Sequence, residues 1–264
     1  VEKDLAGLYK YASRAYGTSA TTPFGSSLED AAQIKKILDD NGCPDDGQRS
    51  LIINTAAGVK LRGQAGLTAN YAAGTTETLR RGVLLPIFGM DIRESAQVAA
   101  HTKGTATGYD CTAVEPIGET TIACDGSDSG TILAGDVVTN TSAADGVKYV
   151  VSSGSTLTGN ATGNFIINEP GLVLATAVGN EWTTQGSYRA NLAFHKSAIQ
   201  LITRAPLMPE GGDAADDVMI VTDPVSGISF QIALYRQYRQ VHFEVGLAWG
   251  YAAIKPEHMA ILLG

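Results

Sequence analysis

Two runs of strict alternation, ISFQIALYRQYRQVHFEV at residues 228–245, constrain this chain more than any other stretch. Ile228, Phe230, Ile232 and Leu234 share one parity, and Val241, Phe243 and Val245 share the other. Side chains of a strand alternate between faces with period two, so a change of parity requires a turn or bulge. It falls within Tyr235–Gln240, where Arg236 and Arg239 are candidate contacts to a neighbouring subunit. Alternation resumes through Leu247, Trp249 and Tyr251, so Val241–Tyr251 reads as one long strand. Lys255-Pro256 marks a turn, and HMAILL a final buried strand. The chain ends on sheet suited to pairing with something.

The middle of the chain also reads as β. Between Lys103 and Gly186 the only basic residues are Lys103 and Lys148, against nine acidic ones. The short runs TTIAC, DVVTN, KYVVS, NFIIN and LVLATAV recur at regular spacing, with Gly, Asp, Asn and Ser between them. This is the pattern of a small antiparallel barrel or sandwich. The flanking segments are of another style. Leu5, Leu8, Ala12 and Ala15 fall at helical spacing over residues 1–16, and the absence of a capping residue before Val1 points to missing upstream residues. SSLEDAAQIKKILDDNG predicts a helix with Ser26 or Ser27 as cap and Asn41-Gly42 as stop. RSLIINTAAGVKL predicts a buried strand entering a helix, and RRGVLLPIFG a strand closed by Gly89. Together these predict an α+β host with a compact β domain inserted in a loop.

Chemistry has little to stand on. A formal charge of −8 argues against a nucleic-acid-binding surface, which needs clustered Lys and Arg. No eighteen-residue apolar stretch and no signal peptide are visible. Cys43, Cys111 and Cys124 are odd in number and form no CxxC, so neither a disulfide framework nor a zinc site is expected, and a reducing cytosol fits. His101, His195, His242 and His258 are scattered, with structural roles favoured. GxxxxGK[ST], GxGxxG and GxSxG are all absent, and the cluster Asp213, Asp216 and Asp217 reads as a solvated loop. The one candidate metal loop is Asp125–Asp136. There Asp125, Ser127, Ser129 and Asp136 occupy calcium-loop positions one, three, five and twelve, but two serines replace the usual ligands and the flanks look like strands. A polar turn is the better reading. No catalytic residues, cofactor or enzymatic activity are expected.

NLAFHKSAIQLITRAPLMP followed by GISFQIALYRQYRQVHFEVGLAWGYAAIKPEHMAILL resembles the ending of tailed-phage major capsid proteins with the Hong Kong 97 shell fold. The order also matches: helix end, SSLEDAAQIKKIL, GLTANYAAGTTETLRRGVLLPIFGMDI, a β insertion, then closing strands, as in P-twenty-two-like coat proteins. The resemblance implies an α+β Hong Kong 97-type capsid fold of apical and peripheral domains with an inserted small antiparallel β-barrel. It places the end of the spine helix at 1–17 and the apical domain at 18–102 and 188–216. The insertion falls at 103–187, peripheral strands at 217–253, and the return to the apical sheet at 254–264. The family's N-terminal arm and extended loop have no counterpart, so a truncated core, monomeric or weakly associating, is expected. The implied function is a shell subunit that self-assembles around a phage genome in the virion capsid, after assembly in the host cytoplasm. Implied partners are further copies in hexamers and pentamers, a scaffolding protein and a portal. DNA is enclosed without sequence-specific binding, and no membrane is involved. An encapsulin-type nanocompartment shell is the alternative; a calcium-binding or hydrolytic β module is a more distant one.

Overall fold

The computed structural model describes residues 1–68, 80–106, 108–125, 130–142, 146–157, 162–207 and 215–264. In chain order it begins with helix α1 (Glu2–Ala6), a 3-10 turn (Gly7–Tyr11) and strand β1 (Arg14–Tyr16). Helix α2 (Glu29–Asp40), β2 (Arg49–Ile53), α3 (Thr55–Arg62) and α4 (Ala65–Thr68) follow, then β3 (Met90–Glu94) and β4 (Ala100–His101). The middle supplies β5 (Gly108–Cys111), β6 (Thr121–Asp125), β7 (Gly130–Thr131) and β8 (Val137–Asn140). It continues with β9 (Lys148–Ser153), β10 (Thr156–Leu157), β11 (Thr162–Ile167) and β12 (Glu181–Thr184). The last third is β13 (Tyr188–His195), β14 (Ile199–Arg204), β15 (Asp217–Thr222), β16 (Ser229–Gln237), β17 (Gln240–Gly246), β18 (Ala248–Ala253) and β19 (Met259–Leu263).

Two compact units result, one of Glu2–Ile199 with Ala253–Gly264 and one of Val1 with Gln200–Ala252. The larger unit is organised by β19. MAILL is buried at all five positions because the strand is covered on both faces. Ala260 and Leu262 join Phe24, Ala31, Ile34 and Leu38 of the α2 side, with Leu51, Ile53, Leu61 and Met90. Met259, Ile261 and Leu263 join Leu8, Tyr9, Ala12, Val150, Tyr188, Ala190 and Leu192 on the other. A strand buried on both faces loses the alternation of a half-exposed one, which is why this run is continuous. β19 pairs in parallel with β1 and antiparallel with β13; β13 pairs with β2, and β2 runs parallel to β3. α2 is amphipathic as its sequence predicts. The expected Ser26 or Ser27 cap is not formed: Leu28 holds the N-cap position without a side-chain cap bond, and Ser27 Oγ only accepts from Glu29 N at 3.3 Å, whereas Gly42 (φ +72°) takes the left-handed conformation that ends the helix.

Six strands, β11-β6-β5-β12-β8-β9, close on themselves through an extra β9–β11 pairing. The result is an antiparallel barrel filled by Tyr109, Cys111, Ile122, Cys124, Val138, Tyr149, Val151, Phe165 and Trp182. Phe165 meets the Trp182 ring edge-on at 5.6 Å, and the Trp182 indole N–H donates to Cys111 Sγ at 2.9 Å. β9 also pairs with β1, so barrel and main sheet form one twelve-stranded sheet.

This overturns the expected fold class. Strand accounts for 41 % of the chain and helix for 17 %. The molecule is mostly β with a closed six-stranded barrel, in place of the α+β Hong Kong 97-type plan. The excess of strand comes from segments read as helix or loop. The helical pattern of residues 1–16 ends at Tyr11. Ala12 is extended, Ser13 N and Oγ both donate to Met259 O, and Arg14–Tyr16 become a strand. The strand expected before Gly89 instead follows it, at Met90–Glu94. LVLATAV is no strand: Leu172 N donates to Glu119 O and Thr176 N to Glu115 O, tying that run to a loop. β5 and β12, too short and polar to be evident in sequence, take its place in the barrel.

Candidate interaction surface and buried polar clusters

The smaller unit holds a three-stranded sheet, β15-β16-β17, and a two-stranded one, β14-β18. In the former the register sets Met219 opposite Ile232 and Ile232 opposite Val245. Leu234 lies opposite Phe243, Arg236 opposite Val241, and Val221 opposite Phe230. By strand alternation, Met219, Val221, Phe230, Ile232, Leu234, Val241, Phe243 and Val245 all stand on one face. That face is open: Phe243 is 66 % exposed, Val245 65 % and Val241 57 %. The opposite face carries Val218, Ile220, Gln231, Tyr235, His242 and Glu244, with Ile220 64 % exposed and Ala233 buried. In the two-stranded sheet Ile202, Trp249 and Tyr251 are also exposed.

The parity switch is a hairpin. Gln237 pairs with Gln240, leaving Tyr238-Arg239 as a two-residue loop with Arg239 at φ +57°. Arg239 lies over the Tyr238 ring at 5.9 Å. Arg236 stands on the apolar face, largely exposed, with its Nε 3.7 Å from Asp216 Oδ2. The single strand expected over Val241–Tyr251 is two, β17 and β18, which separate at Leu247 and pair with different partners.

Of the candidate calcium loop, Ser127 and Ser129 lie outside the described residues, as does Asp213 of the acidic cluster. Asp125 ends β6 opposite Asp110 and Thr162. Asp136 is fully buried and accepts from Leu133 N at 2.7 Å, His101 Nε2 at 2.8 Å and Gly104 N at 3.1 Å. His101 Nδ1 meets the Tyr9 hydroxyl at 2.8 Å, and Tyr188 Oη donates to Gly135 O at 2.6 Å. Burial raises the Tyr9 phenol to about 12, with the Asp136 charge adding to it. Gly104 is required here: a Cβ would collide with the Thr131 carbonyl. The carboxylate thus serves as an internal acceptor joining the 101–104 segment to the 133–136 turn.

A second cluster unites residues that sequence spacing leaves far apart. Cys43, His195 and His258 are all buried, and one ligand atom from each lies within 4.8 Å of the others. His195 Nε2 meets Asp46 Oδ1 at 3.0 Å and its Nδ1 meets Ser197 Oγ at 2.7 Å; that hydroxyl also reaches His258 Nδ1 at 3.2 Å. Arg49 braces the loop by donating to Cys43 O (2.6 Å), Pro44 O (2.8 Å) and Asp39 Oδ1 (2.6 Å). Burial pushes the Cys43 thiol up and His258 down.

No described helix is long and apolar enough to cross a membrane. No protein-family model and no curated protein matches the sequence. Among solved structures, a chain from Mycobacterium phage Che8 is similar at a TM-score of 0.44 and 14 % identity, over 98 % of this chain. The match spans 56 % of that chain's length. At this level the likeness assigns no role to any residue here.

Proposed function

We propose that the chain is a structural subunit of a phage shell, which self-associates to enclose a genome and carries out no catalysis. The observation that carries this reading is the open apolar face of β15-β16-β17. A sheet face bearing eight apolar residues at consistent parity is costly in a free monomer and is a mark of association. Met219, Val241, Phe243 and Val245 are still about three-fifths exposed, so covering them would gain roughly 4–7 kcal/mol in total. Association itself costs on the order of 4–15 kcal/mol. One such face therefore supports weak pairing, and a closed shell gains stability by repeating it around each subunit. A formal charge of −8 suits a wall that encloses DNA without gripping it.

Further copies of the same chain are the partners, with a scaffolding protein and portal during assembly and the virion capsid as destination. Arg236, on the apolar face, and Arg239, at the hairpin tip, are the charged groups that would set the docking register. The test is electron microscopy of the protein expressed with a scaffolding partner. Closed particles support the reading, and discrete small oligomers alone would overturn it.

A further inference from the structure

We propose that Cys43, His195 and His258 form a site for a divalent transition-metal ion, zinc by preference, that pins three segments of the larger unit together. The ligands come from the turn after α2, the end of β13 and the last residue of the 3-10 turn before β19 (Pro256–His258). Each is on a braced element: Cys43 N donates to Leu38 O at 3.0 Å, His195 pairs with Arg49 across β13–β2, and His258 N donates to Lys255 O at 3.1 Å. All three side chains are 6 % exposed. Zinc with one thiolate and two imidazoles holds its donors about 3.3–3.8 Å apart. The largest separation of 4.8 Å then needs to contract by only about 1 Å.

The surroundings are those of a metal centre. Asp46 takes His195 Nε2, as in the carboxylate–histidine–metal arrangement, and Nδ1, which accepts from Ser197 N at 3.2 Å, would exchange that local contact for the metal. Both imidazole Nδ1 atoms hydrogen-bond the Ser197 hydroxyl, which brings them together; a metal would displace that hydroxyl from between them or take it as a ligand. Binding replaces the Cys43 S–H bond by a sulfur–metal bond and releases the proton to solvent. With the thiolate formed, Asp39, Asp45 and Asp46 outweigh Arg49 and Lys35 and leave two net negative charges, which a divalent ion matches. Lys255 and Glu257 beside His258 cancel. Ser197 or a water fills the fourth position.

The test titrates the metal-stripped chain, under reducing conditions at neutral pH, with cobalt(II) chloride and then zinc chloride. One equivalent of cobalt should produce tetrahedral visible bands and a thiolate-to-cobalt charge-transfer band, both removed by zinc. Cys43→Ser should lose the charge-transfer band, and His258→Gln should weaken binding at least tenfold. Asp46→Asn should weaken it about tenfold, and His242→Gln should change nothing. Absence of the charge-transfer band in the wild-type chain would overturn the proposal without recourse to any variant. So would its persistence in Cys43→Ser, or unchanged affinity in a His258→Gln chain whose circular dichroism is native.

Discussion

Removing the Asp136 carboxylate should cost more than any surface change, and the cost can be worked from its contacts. Asp136→Ala deprives Leu133 N, Gly104 N and His101 Nε2 of their acceptor in a fully buried place. A hydrogen bond to a charged group contributes about 1.5–3 kcal/mol, and each orphaned buried donor costs about 1–3 kcal/mol. The losses overlap, because His101 can turn and water can enter the space vacated. A net cost of roughly 3–5 kcal/mol follows from three donors left without their acceptor. Asp136→Asn keeps one acceptor oxygen but presents an amide N–H₂ to donors, so about 2 kcal/mol is expected. In urea, at a slope of about 3 kcal/mol/M, Asp136→Ala moves the midpoint down by at least about 1 M. Circular dichroism and tryptophan fluorescence should report the same midpoint, since Trp182 lies in the adjoining barrel. Calcium should not shift the wild-type midpoint if Asp136 is an internal acceptor. An alanine variant within about 1 kcal/mol of wild type, or a calcium-dependent midpoint lost in the variant, would refute the reasoning.

Alkali should destabilise the fold. Burial raises Tyr9 and Tyr109 from 10.0, and Cys124 from 9.0, to about 12, and raises Tyr188 as well. The native state holds these protons more tightly than the unfolded one. Stability is therefore complete below about pH 9 and falls between pH 9 and 12, by about 1.4 kcal/mol per pH unit for each group titrating. Lys148, lowered by burial, acts in the opposite sense and is outnumbered. Urea midpoints from pH 8 to 11 should fall; a flat or rising series would contradict this. Cys43, Cys111 and Cys124 are free and buried, so an aromatic disulfide reagent should label none of them natively and all three in denaturant. Rapid native labelling would show that one of them is open. Gly104→Ala should destabilise by more than the usual ~1 kcal/mol of a glycine change, because its Cβ would strike the Thr131 carbonyl and Asp136 Oδ2. A thermal midpoint equal to wild type would contradict that contact.

How much of this was legible in the sequence depends on whether the signal was local. The start of α2 fell at Leu28 without the expected serine cap, whereas its C-terminal limit, the β2–α3 junction and a turn or bulge within Tyr235–Gln240 were legible because stop residues, alternation and parity are short-range properties. The fold class was not. Residues 12–16 carry helical spacing but become strand through Ser13 bonding to Met259, a partner far along the chain. LVLATAV has β-prone composition yet bonds to the 115–119 loop, while GYDC and EWTT build barrel strands with little apolar signal. The apolar face was half legible: alternation assigned Val241, Phe243 and Val245 to one side, but parity does not say whether that side is covered. Cys43, His195 and His258 could not have been grouped, since only the pairing of β13 with β2 and β19 brings them together.

The most direct measurement of the assembly reading is sedimentation velocity over a concentration series, comparing this chain with Phe243→Asp. Phe243 is two-thirds exposed in the middle of the edge strand β17, so an aspartate there is expected to leave folding intact and to place a charge in the contact. Self-association through this face predicts a sedimentation coefficient that rises with concentration in the wild-type chain and stays at the monomer value in the variant. A variant that associates as well as the wild-type chain would contradict it.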